Sequence, residues 1–185
     1  KLPIDRGVRV GLSFGGGGSA AKISRGRSNA IEHSGGVMRN NIIARCPLDV
    51  GIYLNKSART SIYNNLLIAT TGIDIRFGTS SATIHDNVLD GRINSRDGGS
   101  FDADNNLVAG ECSWPRKALG QCGTGYWDSD ALQGDLRLVT WDGFADHRRT
   151  PPRGLTDFCG NLRPSTSDVG PLQYGQGEPC LPDYR

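Results

Sequence analysis

The sequence feature that most restricts the fold is a motif that recurs every 19 to 24 residues. An asparagine marks each copy, an aliphatic residue stands two positions after it, and a further apolar residue stands three positions before it. The four asparagines are Asn41, Asn65, Asn87 and Asn106. A unit this short cannot bury its own apolar side chains, so the repeat predicts a solenoid whose units stack on one another.

Short alternating segments decide the type of solenoid. "GIYLN", "GIDIRF" and "GRINSR" place Ile52, Ile73 and Ile93 in one column, with glycine, asparagine and aspartate between the segments. Alternation of apolar and polar residues over a few positions indicates strands. Neither a helical period nor a regular leucine ladder is present. We predict an all-β parallel β-helix with coils of about 20–24 residues, like positions of which stack roughly 4.8 Å apart.

The recurring asparagines have a structural role in this fold. Their short amide side chains tolerate left-handed backbone and bond locally, which suits a bend between two strands. We therefore predict that they occupy the bends and bond to one another from coil to coil as an amide ladder.

The repeat covers only the first part of the chain. We predict coils over residues 1–110, with an insertion at about 15–36, where "GGGGSAAKISRGRSNAIEHSGG" has little apolar content. Residues 111–185 lack the repeat and contain four of the five cysteines and all three tryptophans. We expect an irregular tail packed on the β-helix and covering an end of the solenoid, since an open strand edge would invite aggregation.

The cysteines suggest an oxidising compartment. They form no CxxC pair, and four of them are spaced as local loop staples in the predicted tail. The disulfide candidates are Cys112 with Cys122 and Cys159 with Cys180. Cys46 is left over, either as a buried free thiol or as a link to a segment or partner chain outside this sequence. We predict an extracytoplasmic protein, secreted or periplasmic. The chain has no run of about 20 apolar residues, so no membrane insertion is expected.

Several segments resemble a known superfamily. The coils "GIYLN", "GIDIRF" and "DGRI", then "GDLRL" and the closing "DFCGNLRPSTSDVGPLQYG", are similar to secreted bacterial right-handed parallel β-helix proteins of the pectate-lyase-like superfamily. The resemblance covers roughly residues 7–175. It implies right-handed coils. Because such proteins usually have more N-terminal coils, and the chain begins at Lys1, it also implies the C-terminal portion of a longer or cleaved precursor.

Residues that face outward from the alternating segments are the candidate functional residues. The pattern predicts two outward columns, Tyr53 with Asp74 and Asn94, and Asn55 with Arg76 and Arg96. Stacking would bring Arg76 close to Arg96, so solvent, Asp74, Asp97 or a bound anion must offset their repulsion. A carboxylated sugar would do so. An exposed Arg/Asp network without a ligand is the alternative interpretation.

The resemblance supplies roles for these residues. In uronate lyases of the superfamily a basic residue or a metal neutralises the uronate carboxylate, and a basic group takes the adjacent proton. By analogy, Lys56 or Arg76 is the candidate catalytic base, and Arg92 with Arg96 the carboxylate clamp. The candidate substrate-binding residues are Tyr53, Asp74, Arg92, Asn94 and Arg96. A hydrolase would instead need two carboxylates, for which Asp74 with Asp97 and Asp102 with Asp104 are available.

We predict that the protein binds an acidic polysaccharide along its outer parallel sheet, with or without cleavage by β-elimination. A non-catalytic subunit of a larger extracytoplasmic assembly, joined to a missing N-terminal segment or partner chain, is the alternative. No cofactor is predicted, although "DSD" at Asp128–Asp130 offers oxygen ligands that suit calcium. The dispersed histidines suggest neither a zinc site nor a catalytic triad, and no nucleic-acid partner is expected.

Overall fold

The computed structural model describes residues 10–16, 31–46, 48–108 and 145–174. Within these ranges the chain forms fourteen short strands and a 3₁₀ helix at Ala145–His147. The strands are β1 (Val10–Gly15), β2 (His33–Ser34), β3 (Val37–Arg39), β4 (Ile42–Cys46), β5 (Val50–Asn55), β6 (Ser57–Ala58), β7 (Thr60–Tyr63), β8 (Leu66–Thr70), β9 (Gly72–Arg76), β10 (Ser81–His85), β11 (Val88–Leu89), β12 (Arg92–Arg96), β13 (Ser100–Asp104) and β14 (Leu107–Val108).

Twelve of these strands form three parallel sheets, which run side by side along the solenoid. Sheet 1 has the order β1-β5-β9-β12, sheet 2 the order β13-β10-β7-β3, and sheet 3 the order β14-β11-β8-β4. β2 and β6 form a separate pair. Neighbouring strands in each sheet come from successive coils, which confirms the predicted all-β parallel solenoid.

The insertion lies between two strands that pair directly. Val10 of β1 is in register with Val50 of β5, so these two strands belong to neighbouring coils. Of the predicted insertion at 15–36, His33 and Ser34 form β2 and pair with Ser57 and Ala58. The predicted boundary at residue 110 lies outside the described residues.

Apolar columns fill the interior of the solenoid. Ile73 is in register with Ile52 on one side and with Ile93 on the other. Ile62 and Ile84 form an equivalent column in sheet 2 and are fully buried. Each such side chain contributes about 1.5–3 kcal/mol relative to an exposed one, so the alternating pattern supplies most of the driving force for stacking.

The predicted asparagine ladder is present in the structure. The Nδ2 of Asn65 donates to Oδ1 of Asn87 at 2.9 Å, and Asn87 bonds to Asn106 in the same way at 2.9 Å. The residue before each ladder asparagine takes the left-handed conformation, with φ of 53° at Asn64 and 56° at Asp86. The predicted amide ladder is therefore confirmed, and the left-handed residue at each bend is the one before the ladder asparagine. The preceding residue makes the corner, which leaves the amide free to point along the stack.

Residues 145–174 cover the outer side of sheet 3. Leu66, Ile68 and Val88 form a second apolar cluster on that side, and Val169, Leu172 and Tyr174 pack against it. Leu67 and Leu89, which alternate with them in the chain, belong to the interior cluster. Because sheet 3 is apolar on both faces, the described part of the tail lies against the side of the solenoid. The predicted cover over an end of the solenoid stays a prediction.

Candidate functional site

The outer face of sheet 1 carries the predicted polar columns. Asp74 is in register with Tyr53 in the coil before it and with Asn94 in the coil after it. Arg76 is likewise in register with Asn55 and Arg96. Both outward columns predicted from the alternating pattern are therefore confirmed as columns, and three charged residues, Asp74, Arg76 and Arg96, meet on two adjacent coils.

Two crossed ion pairs join these coils. The Nε of Arg96 donates to Oδ2 of Asp74 at 2.7 Å, and the Nε of Arg76 donates to Oδ2 of Asp97 at 2.5 Å. Each arginine is thus paired with a carboxylate of the other coil. This arrangement offsets the repulsion between the stacked arginines and leaves the four groups with no net charge.

The two carboxylates differ in burial. The side chain of Asp74 is only 8% exposed, whereas that of Asp97, in the turn after β12, is 47% exposed. The second oxygen of Asp74, Oδ1, is buried and has no hydrogen-bond partner among the described residues. Arg96 is 46% exposed, and its guanidinium lies 5.8 Å from the ring centre of Tyr53. Asp74 therefore fixes Arg96 from the sheet side while the guanidinium reaches solvent.

Arg76 has two further partners. Its guanidinium carbon lies 4.5 Å from the ring centre of Phe77, within the range of a cation–π contact. The hydrogen bond to the Tyr53 hydroxyl and the ion pair with Asp97 raise the pKa of Arg76 above its usual range. A base must release its proton to act, so these contacts favour Arg76 as an anion ligand over Arg76 as a catalytic base.

Lys56, the other candidate base, points to a different partner. It follows β5 in a left-handed conformation, with φ of 55°. Its ammonium lies 3.8 Å from a carboxylate oxygen of Glu32, which belongs to the preceding coil. The structure does not pair Lys56 with Asp74 or Arg76. The catalytic roles of Lys56 and Arg76 stay predictions.

Arg92 and Asn94 lie on the exposed strand β12. Arg92 and Arg96 are four residues apart on this strand, which places their Cα atoms about 13 Å apart. A single carboxylate bound by both would need the two long side chains to converge. The clamp by Arg92 and Arg96 stays a prediction, and the contacts of the site place Arg96 next to Arg76 instead.

A second polar cluster, which no sequence pattern predicted, lies where the C-terminal segment meets sheet 2. Asp86 accepts hydrogen bonds from His85 Nδ1 at 2.9 Å, from Asn105 at 2.6 Å and from Arg149 at 2.8 Å. Arg149 also bonds to Asp104 at 2.8 Å. Arg149 stands far from these residues in the sequence, so no local pattern could identify it. The cluster fastens the C-terminal segment to two coils.

The charge of Asp86 is expected to make this fastening sensitive to acid. Burial raises the pKa of Asp86, but the bonds from His85, Asn105 and Arg149 outweigh it and lower the pKa below the ordinary 3.8. The stabilisation is therefore present above pH 3.8 and is lost as the pH falls through the folded-state value. We expect Asp86→Asn to lower the free energy of unfolding near neutral pH by about 1–3 kcal/mol, with the difference shrinking in acid.

Urea unfolding of both proteins at several pH values measures this difference. Asp102→Asn, an exposed carboxylate on β13, is the matched control and is expected to change stability by less than about 0.5 kcal/mol at every pH. A destabilisation by Asp86→Asn that stays constant down to low pH would contradict the role of the charge.

The predictions about the cysteines fall only partly within the described residues. Cys46 is a free cysteine, and burial, with a smaller contribution from Asp49, raises the pKa of its thiol. Cys159 is disulfide-bonded. The other disulfide candidates, Cys112, Cys122 and Cys180, lie outside the described residues, as do the oxygen ligands at 128–130 that would suit calcium. Both pairings and the link through Cys46 stay predictions, and calcium binding at 128–130 is untested. None of the described residues belongs to a helix of the length and apolar character needed to cross a membrane.

Comparison with known proteins agrees with this architecture. A family model described as "Right handed beta helix region" matches residues 12–132. No curated protein and no solved structure matches the chain. The family match covers most of sheet 1 and the crossed ion pairs on its outer face, and it says nothing about their chemistry.

Proposed function

Since this chain belongs to the right-handed β-helix family, we propose that it binds an acidic polysaccharide along the outer face of sheet 1. The observation that carries the proposal is the placement of Arg96 beside Arg76. Arg96 is fixed through Nε by the buried Asp74, and its side chain is 46% exposed. Its terminal nitrogens make no hydrogen bond to the described residues, so a planar donor edge remains for a ligand carboxylate.

The surrounding residues suit a sugar chain. Tyr53 contributes an aromatic ring and a hydroxyl next to both arginines, and Asn94 presents an exposed amide on the same face. Arg76 and Arg96 present the same charged group on two successive coils along the solenoid axis. A polymer with repeating carboxylates and hydroxyls can use both of these positions at once, which favours a polysaccharide over a small anion.

Removal of either arginine is expected to weaken binding. A hydrogen bond to a charged group contributes about 1.5–3 kcal/mol, so Arg76→Ala and Arg96→Ala should each reduce affinity for an oligouronate by about 10- to 100-fold. Arg39→Ala removes an exposed arginine from sheet 2 and is expected to leave affinity nearly unchanged. Isothermal titration calorimetry with oligomers of alginate, pectate and glycosaminoglycans measures these affinities.

The outcomes separate the proposal from its alternatives. Absence of binding to every acidic glycan tested would refute the proposed function. Binding that survives both arginine substitutions would move the site away from sheet 1. Release of unsaturated uronate in the same incubations would add cleavage by β-elimination to binding. Lys56→Ala is then the first variant to assay, because Arg76 is held in its charged form.

A further inference from the structure

The exposed ion pair on sheet 1 resembles the complex that a ligand would form. The side chain of Asp97 presents a carboxylate to Arg76 from the turn after β12, with Oδ2 at 2.5 Å from Nε. A uronate carboxylate has the same charge and the same planar pair of oxygens, and a guanidinium binds such groups through parallel N–H donors. The chain therefore supplies at Arg76 the chemical group that the proposed ligand would bring.

The two crossed pairs differ in how readily they exchange. In the Arg96–Asp74 pair the carboxylate is 8% exposed, so separating it from Arg96 would leave the charge of Asp74 unpaired at a buried position. In the Arg76–Asp97 pair the two side chains are 34% and 47% exposed. Exposed pairs of this kind contribute little net stability, since water replaces the partner at small cost. Asp97 can thus leave Arg76 far more easily than Asp74 can leave Arg96.

Arg76 keeps its position when Asp97 leaves. Its guanidinium carbon lies 4.5 Å from the ring centre of Phe77, and this contact does not involve Asp97. Asp97 belongs to the turn that follows β12, and it has a left-handed φ of 52°, which asparagine also accepts readily. The position of Arg76 therefore does not depend on its ion pair with Asp97.

We infer that Asp97 is an internal competitor for the ligand, which occupies Arg76 in the free protein and is displaced when a uronate carboxylate binds. This inference rests on the proposed function of the same face. Asp74 has the opposite role, as a positioning residue that holds Arg96 in place for the ligand. The affinity of the site for carboxylated sugars is thus limited by a group of its own chain.

Asp97→Asn tests the inference, because it preserves the shape and backbone preference of the residue and removes its charge. We expect this variant to bind an oligogalacturonate about two- to fivefold more tightly than the wild-type protein, the factor that corresponds to an exposed ion pair of ordinary strength. Asp102→Asn, which removes an exposed negative charge from sheet 2, is the control for long-range repulsion and should leave affinity nearly unchanged. Calorimetry at one fixed ionic strength provides the comparison.

A second measurement follows the exchange directly in the wild-type protein. Nuclear magnetic resonance of the side-chain carboxylate carbon of Asp97 and of the Nε–H group of Arg76 should show both signals shifting together as the oligogalacturonate is added. The Asp74 carbon should keep its pair with Arg96 and shift less.

The results distinguish the two proposals. If the wild-type protein binds and Asp97→Asn gains no more affinity than Asp102→Asn, the competitor role is overturned and the proposed function stands. Weaker binding by Asp97→Asn would also overturn it, because Asp97 would then position Arg76. If neither the wild-type protein nor Asp97→Asn binds any acidic glycan, the proposed function itself fails.

Discussion

Asn87→Ala is expected to lower the free energy of unfolding by about 3–4 kcal/mol, one of the two largest effects of a single substitution considered for this chain. Asn87 is fully buried in the ladder. Its Oδ1 accepts hydrogen bonds from the backbone N–H and from the side-chain amide of Asn65, at 3.0 and 2.9 Å. Its Nδ2 donates to the carbonyl of Ile62 at 3.0 Å.

The size of the effect follows from the partners that remain. Alanine would leave a buried N–H and buried carbonyl groups without partners, and each unsatisfied group costs about 1–3 kcal/mol. Adjacent coils are joined through these groups, so the loss falls on the stacking of two coils and cannot be confined to one side chain. Equilibrium unfolding in urea, followed by far-UV circular dichroism, measures the change.

Asn94→Ala provides the matched control for the ladder variant. Asn94 lies in the following coil but on the exposed strand β12, and its removal is expected to change stability by less than about 0.5 kcal/mol. Equal destabilisation by the two substitutions would show that the buried amide ladder does not determine the stability of the stack.

Leu172→Ala is expected to lower the free energy of unfolding by about 2–5 kcal/mol. Leu172 is fully buried in the cluster with Leu66 and Ile68, where the C-terminal segment covers sheet 3. A cavity at this position would remove contacts on both the segment and the sheet. We therefore expect weaker attachment of the segment, with increased binding of a dye such as ANS to the uncovered apolar surface.

Leu162→Ala is the corresponding control. Leu162 belongs to the same segment but is 67% exposed, so its truncation should change stability by less than about 0.5 kcal/mol. If the two leucine variants unfold at the same urea concentration, the segment does not contribute to the stability of the solenoid, and its packing on sheet 3 is dispensable.

The site on sheet 1 owes its geometry to stacking between coils. Asp74 and Arg96 are 22 residues apart in the chain, and the parallel register places them on neighbouring strands of one face. The period of the repeat was enough to predict this juxtaposition. It was not enough to predict the crossed pairing, because the choice between Asp74 and Asp97 as partner depends on side-chain directions and on the turn after β12.

The difference in burial between Asp74 and Asp97 could not be predicted from the sequence either. Both are aspartates within three positions of an outward arginine. Only the stacked coils show that Asp74 is enclosed while Asp97 is largely open to solvent. The distinction between a positioning carboxylate and an exchangeable one therefore belongs to the tertiary structure.

Sheet 3 also combines a feature that the sequence could predict with one that only the tertiary structure shows. The run "LLIA" from Leu66 to Ala69 lacks the alternation of the other strands, which is typical of a strand buried on both faces. That signal could have predicted a covering layer on this side. The residues that form the layer, Val169, Leu172 and Tyr174, are about a hundred positions away and have no repeat to relate them to β8.

The sequence alone determined the all-β class, the parallel register and the inward and outward columns, because each depends on a local period that stacking must preserve. The tertiary structure alone decided which carboxylate pairs with which arginine, where Arg149 fastens the tail, and which face of sheet 3 the tail covers. These contacts depend on burial and direction between residues that share no period, so no pattern along the chain encodes them.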